Sequence, residues 1–159
     1  MLGPTNRKRN TRRTKRAQLP VAGWREYVGF PELGIDQLKA KIDTGARSSA
    51  LHAWNITPIE VDGAQWVAFE VHPLQRNNKV TVHCRAPLTA KRRVTSSSGH
   101  SEHRYVIETA LRIGDRVYPV ELSLTNRDAM GFRLLLGRTA IRGRFLVDAG
   151  RSYLVGNSQ

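Results

Sequence analysis

Residues 41–49 read "KIDTGARSS", an aspartate set behind one apolar residue and ahead of Thr-Gly-Ala. Gly45 permits a tight turn that a side chain would block, and the Thr44 hydroxyl can lock such a loop by hydrogen bonding. The segment therefore reads as a rigid mount for the Asp43 carboxylate. One carboxylate alone is a weak hydrolytic device, because cleaving an amide through an activated water needs a base for the water and an acid for the leaving nitrogen. Two carboxylates sharing a proton fill both roles, since like charges about 3 Å apart cannot both ionise. No second Asp-Thr-Gly or Asp-Ser-Gly occurs in the 159 residues, so the partner is expected from a second copy of the chain. Taken as three residues in isolation, the motif is also an ordinary turn, which Asp and Gly favour everywhere.

Working outward, Trp24 to Phe30 suits a half-buried strand, and Pro31 with Gly34 supplies a turn before "IDQLKAKID" (35–43) leads into the motif. Beyond it, "AQWVAFEVHPL" (64–74), "KVTVHCRAPL" (79–88), "HRYVIETALRI" (103–113) and "RVYPVELSLT" (116–125) alternate apolar with polar residues at period two, the mark of strands. Asp62-Gly63 and Gly114-Asp115 fall between such runs, where positive φ is needed, and predict two hairpins. A short helix is expected near "GRTAIRGRF" (137–145), after the apolar run Leu134-Leu135-Leu136. No internal repeat suggests a duplicated chain. The expectation is a mostly antiparallel β domain, closed or folded over on itself to protect its edges.

The length suits a single domain. Its 26 Lys and Arg against 13 Asp and Glu give a formal charge of +13. Seven of these cations lie in residues 1–20, which hold no acid and almost no apolar side chain, so a disordered basic arm is expected there, with the folded domain over 21–159. Setting the seven aside leaves 19 cations against 13 anions, a body of +6 that favours acidic partners. The arm suits RNA or ribosome phosphates, or a solvated tail; it lacks the interleaved aromatics of a base-stacking surface. The single cysteine, Cys84, excludes an internal disulfide and fits a reducing compartment. No membrane span or secretory signal is legible, and cytoplasmic location is the default; an Arg-rich, acid-free N-terminus also suits an organelle transit peptide, but this one lacks the serines and the amphipathic apolar stripe expected there.

"KIDTGA" followed by "LLLGRTAI" (134–141) resembles the retroviral-type aspartic protease pattern. More closely, "KIDTGARSSALHA" (41–53), "HPLQRN" (72–77), "SSSGH" (96–100), "LTNRDAMGFRLLLGR" (124–138) and "GRFLVDAGRSYL" (143–154) are similar to a retropepsin-like family of small bacterial proteins commonly labelled ATP-dependent zinc proteases. The resemblance runs from about Trp24 to Gly156. It implies a mainly β, closed retropepsin-type (acid protease) barrel with one short C-terminal helix. It also implies a homodimer with one Asp43 from each subunit and a flap hairpin around Ser96–His100 covering the cleft. In that frame Asp43, Thr44 and Gly45 are catalytic, Ala46, Arg47, Ser97, Ser98, Gly99 and His100 contact a peptide or protein substrate, and Gly137 and Arg138 are structural. The same serine-rich segment also reads as a plain polar surface loop. The family context further implies an association with peptide ligases that append glutamates to a ribosomal protein.

Retroviral enzymes usually carry an acid after Asp-Thr-Gly-Ala that pairs with the arginine of the Gly-Arg segment, whereas this chain has Arg47. Arg138 then needs another anion, with Asp36, Asp128 and Asp148 as candidates, and Arg47 is left to face a substrate carboxylate, solvent or a structural acid. Despite the family's label, no metal or cofactor is expected. There is no Gly-x-x-x-x-Gly-Lys-Ser/Thr loop or His-Glu-x-x-His helix, and His83 and Cys84, adjacent on a strand, point to opposite faces. Asp148 in "VDAGR" is expected to serve a C-terminal turn, the chain having no room for a second lobe. The leading expectation is an aspartic-type peptidase favouring acidic, Glu-rich peptides. The competing one is a catalytically silent peptide- or RNA-binding module on the same fold.

Overall fold

The computed structural model describes residues 19–74, 77–95, 98–126 and 131–155. In chain order the strands are β1 (Val21–Gly23), β2 (Arg25–Phe30), β3 (Ile35–Ile42), β4 (Ser49–His52), β5 (Trp54–Val61), β6 (Ala64–Val71), β7 (Val82–Thr95), β8 (Ser101–Ile113), β9 (Arg116–Thr125), β10 (Leu134–Leu136) and β11 (Leu146–Asp148). One α-helix, α1 (Arg138–Ile141), follows β10, and a 3-10 turn at Pro31–Leu33 joins β2 to β3. The period-two runs are the strands β6 to β9. Val61 pairs with Ala64 around Asp62 (φ 50°) and Gly63 (φ 80°), the primed two-residue turn that the Asp-Gly pair predicts. Ile113 likewise pairs with Arg116 around Gly114.

Strands β2, β3, β10, β4, β9 and β8 follow one another by hydrogen bonding, and a β2–β8 pairing at Gly29 and Arg112 closes them into a ring. This is the closed, mainly β barrel that the resemblance implied. Strands β7, β6 and β5 continue outward from β8 as an antiparallel extension. Inside the ring, one residue in two from each strand supplies the core, with Phe30, Leu38, Leu51, Ile107, Leu111, Leu122 and Leu134 essentially without exposed surface. Closure pairs the β2 edge with β8, leaving β5 as the outer edge of the extension.

Two features lie beyond sequence periodicity. The three-residue β10 threads between β3, parallel to it, and β4, antiparallel to it. The short β1 and β11 pair in parallel as a separate two-stranded ribbon, Val21 opposite Leu146. The chain's C-terminal stretch then returns over β2, where Glu26, fully buried, fastens it. Its Oε2 accepts the amides of Gly23 (2.6 Å) and Leu154 (2.8 Å), and its Oε1 accepts that of Val155 (3.1 Å). A buried carboxylate is tolerated because backbone donors replace its water. Glu26→Gln turns one acceptor oxygen into a donor facing these amides and should cost about 1–3 kcal/mol; Glu26→Ala, which leaves all three donors unmatched, should cost more. Urea unfolding of the two variants measures the difference, and an unchanged midpoint in both would remove Glu26 from the fastening role.

Candidate active site

The Asp43 loop leaves the barrel at the end of β3, and its mount is made of backbone. The Asp43 amide donates to the Leu136 carbonyl (2.8 Å), prolonging the β3–β10 pairing by one step. Across the loop, the amides of Arg138 and Thr139 donate to the carbonyls of Ala46 (2.7 Å) and Arg47 (3.1 Å), and the Gly137 amide donates to the buried Ser49 hydroxyl (3.0 Å). Gly137 allows this approach because a Cβ there would lie 2.7 Å from the Ser48 carbonyl carbon and 2.9 Å from the Ala46 oxygen. Such overlap with backbone cannot be relieved by a rotamer change.

Within the loop, Asp43 Oδ1 accepts the Gly45 amide (2.9 Å), which fixes the carboxylate plane, and a Cβ on Gly45 would crowd that same oxygen at 3.2 Å. Arg138 Nη1 donates to the Thr44 and Gly45 carbonyls, both at 3.2 Å. The acid partner expected for Arg138 is thus replaced by two loop carbonyls. The guanidinium needs acceptors in the right place rather than a formal charge, and the loop presents two. Asp36 engages elsewhere through its carbonyl to Arg112, Asp148 Oδ1 accepts the Gly150 amide (2.9 Å), and Asp128 lies outside the described residues. Asp148 is therefore a turn acid, built like the Asp43 loop but on the terminal ribbon.

The expected lock by the Thr44 side chain is not how the loop is held within the chain. Thr44 is exposed, and the Asp43–Gly45 bond and Arg138 do the holding. Asp43 itself is half-buried and Ala46 is half-buried behind it. Arg47 is exposed and lines an open groove of about 640 Å³ with Arg92, Glu108, Glu121 and Thr139, in which Arg92 already pairs with Glu121 at 2.8 Å. Ser98, Gly99 and His100 lie exposed at the tip of the β7–β8 hairpin, where Thr95 pairs with Ser101; Ser97 lies outside the described residues. Sequence reasoning missed Ser49 and Thr139, whose hydroxyl donates to the Arg47 carbonyl (3.0 Å). Their only signal was place: one follows the motif, the other follows Gly137-Arg138.

The model of the retropepsin-like aspartic endopeptidase RimB matches residues 21–158. The chain belongs to this RimB-like family. A crystal structure of a Legionella pneumophila protein of unknown function superposes with a TM-score of 0.70 at 30% identity, covering 86% of this chain and 98% of that one. Curated relatives named probable alpha-L-glutamate ligase are 44% identical over 136 residues in Shewanella pealeana and 48% identical over 128 residues in Desulfotalea psychrophila. These alignments cover 86% and 80% of this chain but only 30% and 28% of the relatives, so the chain spans less than a third of their length.

The donor set does not fit the zinc of the family's common label. Among the described residues no three His, Cys, Asp or Glu side chains gather as ligands. His83 faces outward and meets Glu70 at 3.4 Å, while Cys84 turns inward toward the Leu33 carbonyl, and burial pushes its thiol up to about 11, which keeps it protonated at neutral pH. Among the described residues no helix is long and apolar enough to cross a membrane.

The clamp on the loop is testable without knowing a substrate. Gly137→Ala should destabilise the chain by about 1–3 kcal/mol or more through overpacking against backbone. Thermal unfolding with Gly150→Ala as the control reads this directly, and equal stability of the two variants would mean that Gly137 does not wedge the loop.

Proposed function

We propose that this chain is an aspartic-type endopeptidase whose working unit is a homodimer, with Asp43 of each protomer forming the catalytic pair. The observation that carries the reading is the Asp43 loop itself. A single carboxylate is held by the Gly45 amide, on a loop whose carbonyls Arg138 binds, half-exposed on a closed barrel of an aspartic endopeptidase family. In the dyad, one carboxylate takes a proton from the attacking water, the water oxygen bonds to the scissile carbonyl carbon, and the protonated partner gives its proton to the departing amide nitrogen. The products are a carboxylic acid and an amine. The β7–β8 hairpin, with Ser98, Gly99 and His100 at its tip, serves as the flap that excludes water from the cleft, and Ser97, outside the described residues, is assigned to the same flap.

A surface for the second protomer is supported by the terminal ribbon. Val21 and Leu146 pair across it and are 42% and 48% exposed, an apolar couple on a strand pair with room for more strands. The basic arm, outside the described residues, is assigned to RNA or ribosome contacts, in the cytoplasm. Acidic peptide is the favoured substrate class. The body's surplus of cations supports it, and so does the name of the longer relatives, since a peptidase domain joined to a glutamate ligase would meet glutamate-bearing chains.

Asp43→Asn should reduce peptide cleavage at least about a thousandfold while leaving the sedimenting species unchanged. Unchanged turnover would remove Asp43 from the mechanism, and a monomer with full specific activity on dilution would exclude the shared pair. Acidic peptides should lose their advantage over matched neutral ones as salt shortens the Debye length from about 10 Å at 0.1 M to about 3 Å at 1 M. Arg47→Ala should lower kcat/KM for acidic peptides several-fold more than for neutral ones. An equal loss on both would make Arg47 a structural residue of the groove.

A further inference from the structure

Among the described residues Arg133 is the only arginine that folding buries, with 6% of its surface exposed. It immediately precedes β10, and its carbonyl accepts the His52 amide (2.7 Å). Leu134, Leu136 and Leu51 fill the core, so Leu135, Ala50 and His52 lie on the other side of the sheet. The Asp43 amide continues the β3–β10 ladder one step past the core residue Ile42, which puts Asp43 on that outer side as well. The Arg133 guanidinium is there too, its Nη1 lying 3.5 Å from His52 Nδ1. Leu135 and Ala50, both half-buried, form the floor between the carboxylate and the guanidinium.

Aromatic rings fix this guanidinium. It lies 4.9 Å from the Trp54 ring centroid, and Trp54 is itself held between the stacked His52 ring (3.9 Å) and the edge-on His72 ring (4.0 Å). Among the described residues no acid pairs with Arg133. Its Nη2 donates to Oδ1 of the exposed Asn78 (2.8 Å), and its buried Nε has no partner. Nε and Nη2 form one edge of the guanidinium, an edge that can take both oxygens of a carboxylate. Here that edge carries a single neutral oxygen, supplied by a loop residue open to solvent. A buried cation without a counter-ion is costly, and a carboxylate that completes the edge relieves that cost.

We propose that Arg133 is a specificity-determining residue, which receives the side-chain carboxylate of a substrate glutamate on its Nε–Nη2 edge in place of the Asn78 oxygen. The assignment rests on the peptidase reading above and names the residue that selects glutamate within its cleft. Residue 137 lies beside Asp43 and residue 133 is four steps back along the same strand, about 13 Å at about 3.3 Å per residue. An extended peptide covers that span in four residues, so the glutamate recognised lies within four residues of the cleaved bond. Arg47, exposed beside Glu108 and Glu121, attracts anions through water. Arg133 is desolvated and can tell a carboxylate from its amide isostere, because a glutamine there brings one acceptor oxygen and a misplaced donor to an edge with two donors.

The test is fluorescence anisotropy with the full chain carrying Asp43→Asn, so that binding is read without cleavage. The probes are a labelled ten-residue Glu-rich peptide and its counterpart with every Glu replaced by Gln, both amidated at the C-terminus so that only side chains offer carboxylates. The parent should bind the Glu peptide at least about tenfold more tightly. Adding Asn78→Asp gives the Arg133 edge a resident carboxylate and should remove most of that preference, with the unfolding midpoint unchanged or raised. Asn77→Asp places the same charge one residue away while keeping the bond to the Lys79 amide, and should change the preference less than about twofold. Arg133→Met should also remove the preference; if it fails to fold, Asn78→Asp decides. A parent without preference would overturn the assignment, as would a preference that survives Asn78→Asp. Equal losses in Asn78→Asp and Asn77→Asp would overturn it too, reducing the effect to general repulsion. Glu selection that Asn78→Asp removes, in a chain whose Asp43 form cleaves nothing, would uphold the site and reject the peptidase reading. Cleavage with a preference unmoved by Asn78→Asp would do the reverse, so the two fail separately.

Discussion

The Asp43 loop is held by a strand of three residues. Leu134, Leu135 and Leu136 enter between β3 and β4, and the chain then turns at Gly137 directly beneath Ala46, Arg47 and Ser48. Apart from the two bonds of the Arg138 guanidinium, the clamp is made by backbone amides and short side chains, and the space for it exists only while residue 137 has no Cβ. The carboxylate's direction is therefore set chiefly by backbone fixed to the barrel, with Arg138 bracing the loop carbonyls. That is the condition for a pair of acids to split their proton affinities, because the effect depends on a fixed short separation.

Charge is distributed in the same economical way. The one glutamate buried completely is spent on three backbone amides and ties the C-terminal stretch to β2. Once tied, that stretch brings Tyr153 onto Tyr27 and creates the platform on which Arg25 and Lys39 lie. A substitution inside the barrel wall thus reaches the outer surface through a few bonds. The acids that do face solvent near the cleft, Glu108 and Glu121, moderate the groove beside Arg47.

Much of this was legible in the residues. Period-two alternation marked β6 to β9, and Asp62-Gly63 and Gly114-Asp115 marked their turns, because both features act within a few residues of one another. The Asp-Thr-Gly and Gly-Arg segments marked the loop and its support. The threading of β10, the β1–β11 ribbon and the fastening by Glu26 were not legible, since each joins residues distant along the chain and three-residue strands carry too little pattern to register. The acid partner expected for Arg138 came from the pairing in the retroviral-type enzymes it resembles, but carbonyls brought close by the fold serve as well. The helix came out as a single turn, Arg138–Ile141, within the longer 137–145 stretch.

The central claim is that two Asp43 carboxylates, one from each protomer, act as a single unit. It is tested most directly by joining two copies of the chain in one polypeptide and placing Asp43→Asn in only one of them. With a shared dyad, the half-substituted tandem should fold and dimerise internally like the parent yet cleave a Glu-rich peptide at less than about 1% of its rate. Retention of about half the parent's activity would show that each protomer works alone and would contradict the account.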